Sequence, residues 1–151
     1  MRTVQDILDC KEEEDNRIEP TAMVIDALRK LISVNLSYLV VFEEEEYKGI
    51  FSERDYTRKL VLKDRSSRDT LVQEVTTVDL PEVSPSNTVE ECMYQMNIRG
   101  ARYLAVYNEN KFEGIITIHD LLRQVIASKH QVFDDNLANS LLDSDGSSKI
   151  F

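Results

Sequence analysis

Apolar residues along this chain fall into two periods that follow one another twice. Val24, Ala27, Leu28, Leu31 and Ile32 recur at helical spacing after a Pro20-Thr21 start and predict an amphipathic helix. The runs 38–42 and 47–51, rich in β-branched and aromatic residues, flank the polar break Glu43 to Glu46 and predict the two strands of a hairpin. A second amphipathic helix with Tyr56, Leu60 and Val61 follows. The same succession then returns. Val89, Cys92, Met93 and Met96 after Ser86-Asn87 predict a helix, Asn108-Glu109-Asn110 marks a hairpin turn, and Leu121, Leu122, Val125 and Ile126 line a last helix.

Laying Tyr103 over Tyr38 sets an offset of 65 residues that holds without a gap through Ile126. Leu39/Leu104, Val41/Val106, Glu44/Glu109, Gly49/Gly114, Ile50/Ile115, Asp55/Asp120 and Arg58/Arg123 are identical pairs, and Pro20/Pro85 and Val24/Val89 extend the match upstream. An internal repeat of this length fixes the organisation: one unit over 1–65 with its core at about 17–63, a second over 66–130 with its core at about 71–128. Beyond residue 131 the chain turns to Asp, Asn and Ser with few apolar residues, and an acidic tail that is poorly ordered or forms a short peripheral helix is expected over 131–151.

Composition narrows the function classes. A formal net charge of -10 would repel the phosphates of nucleic acid or an anionic membrane, so neither is an expected partner. No run approaches the apolar length of a membrane span, and a cytoplasmic protein is the default expectation. Cys10 and Cys92 have neither the number nor the spacing of a disulfide framework or zinc site and read as structural thiols. The acidic run Glu43 to Glu46 reads as a solvated hairpin tip rather than a cation site, because hard cations need convergent, alternating ligands. One basic island, Arg54, Arg58, Lys59, Lys63, Arg65 and Arg68, could meet an anion or simply cover a solvated helix face.

The most informative motif is a hydroxyl three residues before a carboxylate where each hairpin runs into its helix: Ser52 with Asp55, and Thr117 with Asp120. Its structural reading is a capping box, in which the hydroxyl accepts from one free backbone N–H and the carboxylate reaches back to another. Its functional reading uses the same geometry, since a helix start attracts phosphate and a nearby carboxylate accepts from both hydroxyls of a ribose. Residue types alone leave both open. His119 as a catalytic base lacks a matching nucleophile, so no catalytic residues are assigned and an enzyme is not expected.

The runs from Gly49 through Ser52-Glu53-Arg54-Asp55-Tyr56 to Lys59, and from Gly114 through Thr117-Ile118-His119-Asp120-Leu121, resemble CBS domains, the modules named after cystathionine β-synthase; Arg65-Ser66-Ser67 is similar to a loop of stand-alone CBS pairs. The resemblance covers the chain to about Lys129. It implies a mixed α+β fold of two β-α-β-β-α repeats with pseudo-two-fold symmetry, two clefts between the repeats, and a homodimer. It implies a regulatory module that binds AMP, ADP, ATP, NADH or S-adenosylmethionine and modulates a partner protein; an interaction scaffold without a nucleotide is the alternative. By residue-wise carry-over, Asp55 and Asp120 would hold ribose hydroxyls and Ser52 and Thr117 would contact phosphate or ribose. Ile18-Glu19 and Val83-Ser84 would border adenine, and Arg54 and Arg102, with Lys59 and Arg99 as helpers, would meet phosphate, for which the planar arginine fork is suited. His119 occupies a site position where relatives commonly have Gly. With Tyr103 and Ala105 on the strand before it, the second repeat departs more from the family pattern than the first.

Overall fold

The computed structural model describes residues 2–128, so the tail expected over 131–151 lies outside the described residues. The fold is mixed α+β with two three-stranded sheets. In the first sheet β1 (Arg17–Ile18) runs parallel to β2 (Tyr38–Glu43), which pairs antiparallel with β3 (Glu46–Ser52). In the second, β4 (Glu82–Val83) is parallel to β5 (Tyr103–Asn108), which pairs antiparallel with β6 (Lys111–Thr117). The parallel partner is possible because a helix carries the chain back between the strands: α2 (Val24–Val34) in the first repeat and α4 (Val89–Arg99) in the second. Both repeats therefore have the β-α-β-β-α order expected from the sequence.

The duplication extends to irregular features. Val41 pairs with Gly49 but Phe42 with Tyr47, which leaves Lys48 as an extra residue in a bulge, and Val106/Gly114 followed by Tyr107/Phe112 does the same around Glu113. Edge-to-face ring pairs stand beside each bulge, Phe42 with Tyr47 at 6.1 Å and Tyr107 with Phe112 at 5.8 Å. Each hairpin closes through two residues, and the first of them, Glu44 or Glu109, takes a φ of 57° or 58°. A side chain with a Cβ is disfavoured there, so Glu44→Gly is expected to stabilise the protein by about 0.5–1 kcal/mol, read from the urea midpoint. At this acidic tip Lys48 lies 3.2 Å from Glu46 and 3.7 Å from Glu43.

Among the described residues, one compact unit comprises 13–79 and the other joins 2–12 to 80–128. The first unit's core gathers Val24, Ala27, Leu31, Leu39, Val41, Phe51, Leu60, Val72 and Val75. Its last segment returns across the start of α2: Val24 N–H donates to Thr70 O (2.9 Å) and Val72 N–H to Ala22 O (2.8 Å). The second unit's core includes Val83, Val89, Cys92, Met96, Leu104, Val106, Ile116 and Leu121, and takes Val4 and Ile7 from α1 (Val4–Cys10). Here Val4 N–H donates to Asn87 O (2.9 Å) and Val89 N–H to Arg2 O (3.1 Å). The packing units are thus interleaved along the chain: the segment before the first repeat packs with the second.

Several expectations are corrected in detail. α2 begins after Met23 rather than at Pro20-Thr21, and α4 is capped by Thr88 with Glu91 rather than by Ser86-Asn87. Ile32 is 77 % exposed and Met93 40 % exposed; at about 100° per residue Ile32 sits roughly 80° from Val24, past the arc that faces the sheet. The helix expected after Asp55 is broken into α3 (Glu53–Asp55), a π-helical turn over Tyr56–Leu60 and a 3-10 turn over Val61–Lys63. The wider π turn resets the face, burying Leu60 while Val61 is 49 % exposed. Its counterpart α5 (Ile118–Ser128) is regular. Cys92 is buried and its thiol is pushed up to about 11 by burial and by Glu91, as a structural thiol should be, but Cys10 is exposed.

Three carboxyls with displaced values shape the acid response. Hydrogen bonds from Thr3 hold Asp6 below its ordinary 3.8, and Asn87 and Thr88 hold Glu91 below its ordinary 4.5. Such groups contribute stability above their unfolded values that is lost as pH falls through the lowered ones. Partial desolvation raises Glu53 above its ordinary 4.5 even though the residue is exposed at the surface, so its small contribution runs the other way, present at low pH and lost as pH rises through the raised value. The thermal midpoint is expected to fall below pH about 4; Asp6→Asn and Glu91→Gln should flatten that fall, and Glu53→Gln should remove a small loss of midpoint that sets in as pH rises through the raised value of Glu53. An unchanged profile in all three variants would contradict this assignment.

Candidate functional site

Each unit has one corner where the last hairpin strand turns into a helix, and the hydroxyl-x-x-carboxylate motif sits in it. Tyr38 pairs with Ser52 and Tyr103 with Thr117, so the first strand of each hairpin starts beside the helix start. The orphan N–H groups of the first turn are largely taken there. Glu53 N–H donates to Ser37 O (3.1 Å) and Ile118 N–H to Arg102 O (3.0 Å). Asp55 N–H donates to Ser52 Oγ and Asp120 N–H to Thr117 Oγ1, both at 3.2 Å. The carboxylates reach back to the strand: Ser52 N–H donates to Asp55 Oδ2 (2.9 Å) and Thr117 N–H to Asp120 Oδ2 (2.8 Å). The reciprocal box is therefore formed in both repeats.

Each carboxylate also meets a lysine, and the two lysines come from unrelated places. In the first unit Lys59, one turn along, lies 2.9 Å from Asp55 Oδ1 and donates to Thr77 Oγ1 (2.9 Å). Thr77 Oγ1–H in turn donates to Asp55 Oδ1 at 2.6 Å. In the second unit Lys11, just past α1, reaches Asp120 Oδ2 and Ile115 O, both at 2.9 Å. Sequence reasoning named Lys59 but missed Thr77 and Lys11, which are 22 and 109 residues from their carboxylates. The available signal was the repeat itself: Lys11 and Glu12 stand at the offset positions of Thr76 and Thr77, in the segments that precede the first strand of each repeat.

The other candidates separate. Arg54 is exposed on the first turn of α3; Arg99 and Arg102 are exposed on either side of Gly100, the αL residue that ends α4. Arg102 belongs to the second corner through its carbonyl. His119 is half-buried in the first turn of α5. Ile18 pairs with Val41 and Val83 with Val106, three residues along from Tyr38 and Tyr103, so each lies about 10 Å along the strand from its own unit's corner. Val83 packs in the core, Ser84 N–H donates to Asn87 Oδ1 (2.7 Å), and Glu19 is exposed. Positions 18 and 83 lie on the edge strands of their sheets.

The family model for the CBS domain matches residues 16–62 and again 72–127. The chain belongs to the CBS-domain family. It is 32% identical over 108 residues to the CBS domain-containing protein CBSX3, mitochondrial, of Arabidopsis thaliana, an alignment that covers 68% of this chain and 52% of that protein. The chain spans about half the length of the curated relatives it matches. Among solved structures, a protein with CBS domains from Burkholderia ambifaria MC40-6 superposes with a TM-score of 0.79 at 35% identity, covering 88% of this chain and 98% of that one. CBSX2, solved in complex with AMP, shares the CBS fold with a TM-score of 0.67 at 21% identity over 85% of this chain and 99% of its own. Among the described residues no helix is long and apolar enough to cross a membrane.

Proposed function

We propose that this CBS pair is a regulatory module that binds an adenine nucleotide and passes the event on to a partner protein. The observation that carries the reading is the doubled strand-to-helix corner, with a carboxylate held in place by a hydroxyl box and balanced by a lysine, in a family with a member solved with AMP. A carboxylate fixed in this way accepts from the two hydroxyls of a ribose, and Ser52 or Thr117 stands beside it for a sugar or phosphate oxygen. Arg54 and Arg102, helped by Lys59 and Arg99, supply the positive charge a phosphate needs on a chain of net charge -10. Edge-strand backbone at Ile18-Glu19 and Val83-Ser84 suits the donor and acceptor edge of adenine. In this reading the module works by binding, as a homodimer, and a nucleotide shifts it between packings that a partner tells apart.

The test is titration calorimetry of nucleotide-stripped protein with AMP, ADP, ATP, NADH and S-adenosylmethionine. Saturable binding of at least one is expected, with a loss of at least tenfold in Asp55→Asn or Asp120→Asn protein that remains folded. No binding of any of the five by folded wild-type protein overturns the nucleotide reading and leaves an interaction scaffold.

A further inference from the structure

The two carboxylates are equivalent in sequence but not in surroundings. Asp55 has both oxygens engaged: Oδ2 accepts from Ser52 N–H and Ser52 Oγ (2.9 and 3.0 Å), and Oδ1 accepts from Thr77 Oγ1 and Lys59 Nζ (2.6 and 2.9 Å). The group that closes it is not free to withdraw. Thr77 N–H donates to Ile50 O (2.8 Å) and Ile50 N–H to Thr77 O (3.0 Å), so its backbone is bridged to β3 from both sides. Gly49 allows that approach, since a Cβ there would stand 2.2 Å from Thr77 O. A ribose diol arriving at Asp55 would have to displace a hydroxyl whose main chain is fixed to the sheet.

Asp120 is held differently. Oδ2 accepts from Thr117 N–H and Lys11 Nζ, and among the described residues Oδ1 accepts no hydrogen bond. Its side chain is 15 % exposed against 7 % for Asp55. The offset position of Thr77 is Glu12, which is exposed and has no bridge to β6 among the described residues; the ammonium of Lys11 takes the sheet carbonyl of Ile115 instead. A lysine on a four-carbon stem turns away without moving the backbone, which a bridged threonine does not.

We infer that the two repeats are unequal: the corner at Asp120 takes the ribose, with Lys11 passing from the carboxylate to the phosphate of the same nucleotide, whereas Asp55 is a closed structural lock. This rests on the nucleotide reading above. It reverses the weight of the sequence, where the second repeat departs further from the family pattern, because the feature that decides is the segment lying over each corner rather than the motif within it. When ribose hydroxyls replace the ammonium at Asp120, neutral donors satisfy the carboxylate and the released ammonium offsets part of the charge of the phosphate beside it.

The experiment is calorimetry with AMP and with adenosine on wild type, Asp120→Asn, Lys11→Ala and Thr77→Val, each checked for folding by circular dichroism. One site per chain is expected. Asp120→Asn should weaken AMP and adenosine alike by tenfold or more, Lys11→Ala should weaken AMP at least fivefold more than adenosine, and Thr77→Val should change either affinity less than twofold while lowering the thermal midpoint. Two sites per chain, or loss of binding in folded Thr77→Val with Asp120→Asn unchanged, overturns the inequality. Equal effects of Lys11→Ala on both ligands overturn the handover. Failure of folded wild type to bind any adenine nucleotide overturns the underlying reading instead.

Discussion

Gly49→Ala is expected to destabilise the protein by about 3–4 kcal/mol, and Gly114→Ala by about half as much, although the two glycines occupy the same place in the repeat. Both take a φ that a side chain rarely adopts, 145° and 156°, so both substitutions carry backbone strain. What differs is the neighbour. A Cβ at Gly49 would stand 2.2 Å from Thr77 O and 2.7 Å from Thr76 Cγ2, and the carbonyl belongs to the doubly bonded Ile50–Thr77 bridge. Relief would require breaking that bridge, which also withdraws Thr77 from Asp55. A Cβ at Gly114 would meet Leu8 Cδ2 at 3.2 Å, the far end of a flexible side chain. Urea unfolding of the two variants measures the difference, and equal losses would show that the approach of residues 76–77 to β3 contributes nothing to stability.

That asymmetry marks the limit of what the sequence discloses. The hairpins and the capping boxes are local, each depending on residues within about a dozen positions, and periodicity and turn chemistry report such relations directly, while the repeat shows as one constant offset. The bulges at Lys48 and Glu113 follow from the glycines beside them, and the same offset shows both. Position 32 reads as apolar face yet lies in solvent, because periodicity gives the direction of a stripe and not the width of the sheet that covers it. Asp55 and Asp120 stand out as candidates, but their partners do not, since the offset aligns Lys11-Glu12 with Thr76-Thr77 without an identical residue to mark either. Lys11 could not be singled out among charged residues near the N-terminus, because its role depends on α1 docking its Val4 and Ile7 into the second unit's core.

The same contrast gives the second large effect. Asp55→Ala is expected to cost about 3 kcal/mol and Asp120→Ala about 1–1.5 kcal/mol, although both remove a capping-box carboxylate. Loss of the box alone accounts for about 1 kcal/mol in either repeat. At Asp55 the remainder comes from groups left behind in a closed place: the Ser52 N–H, paired and buried, loses its acceptor, and the Thr77 hydroxyl, fixed by its backbone, loses the carboxylate at 2.6 Å. An orphaned buried donor costs about 1–3 kcal/mol, while Lys59, 40 % exposed, turns its ammonium to water and adds little. At Asp120 the lysine is likewise 29 % exposed, the carboxylate is nearer solvent, and water can take up Thr117 N–H. Urea unfolding of both variants beside the double mutant Asp55→Ala/Thr77→Val decides the mechanism. If the lock is what Asp55 contributes, removing Thr77's hydroxyl as well should add less than 0.5 kcal/mol to the single loss. A fully additive double mutant, or equal losses at Asp55 and Asp120, would mean that the segment carrying Thr77 is a bystander and that the two corners are energetically the same.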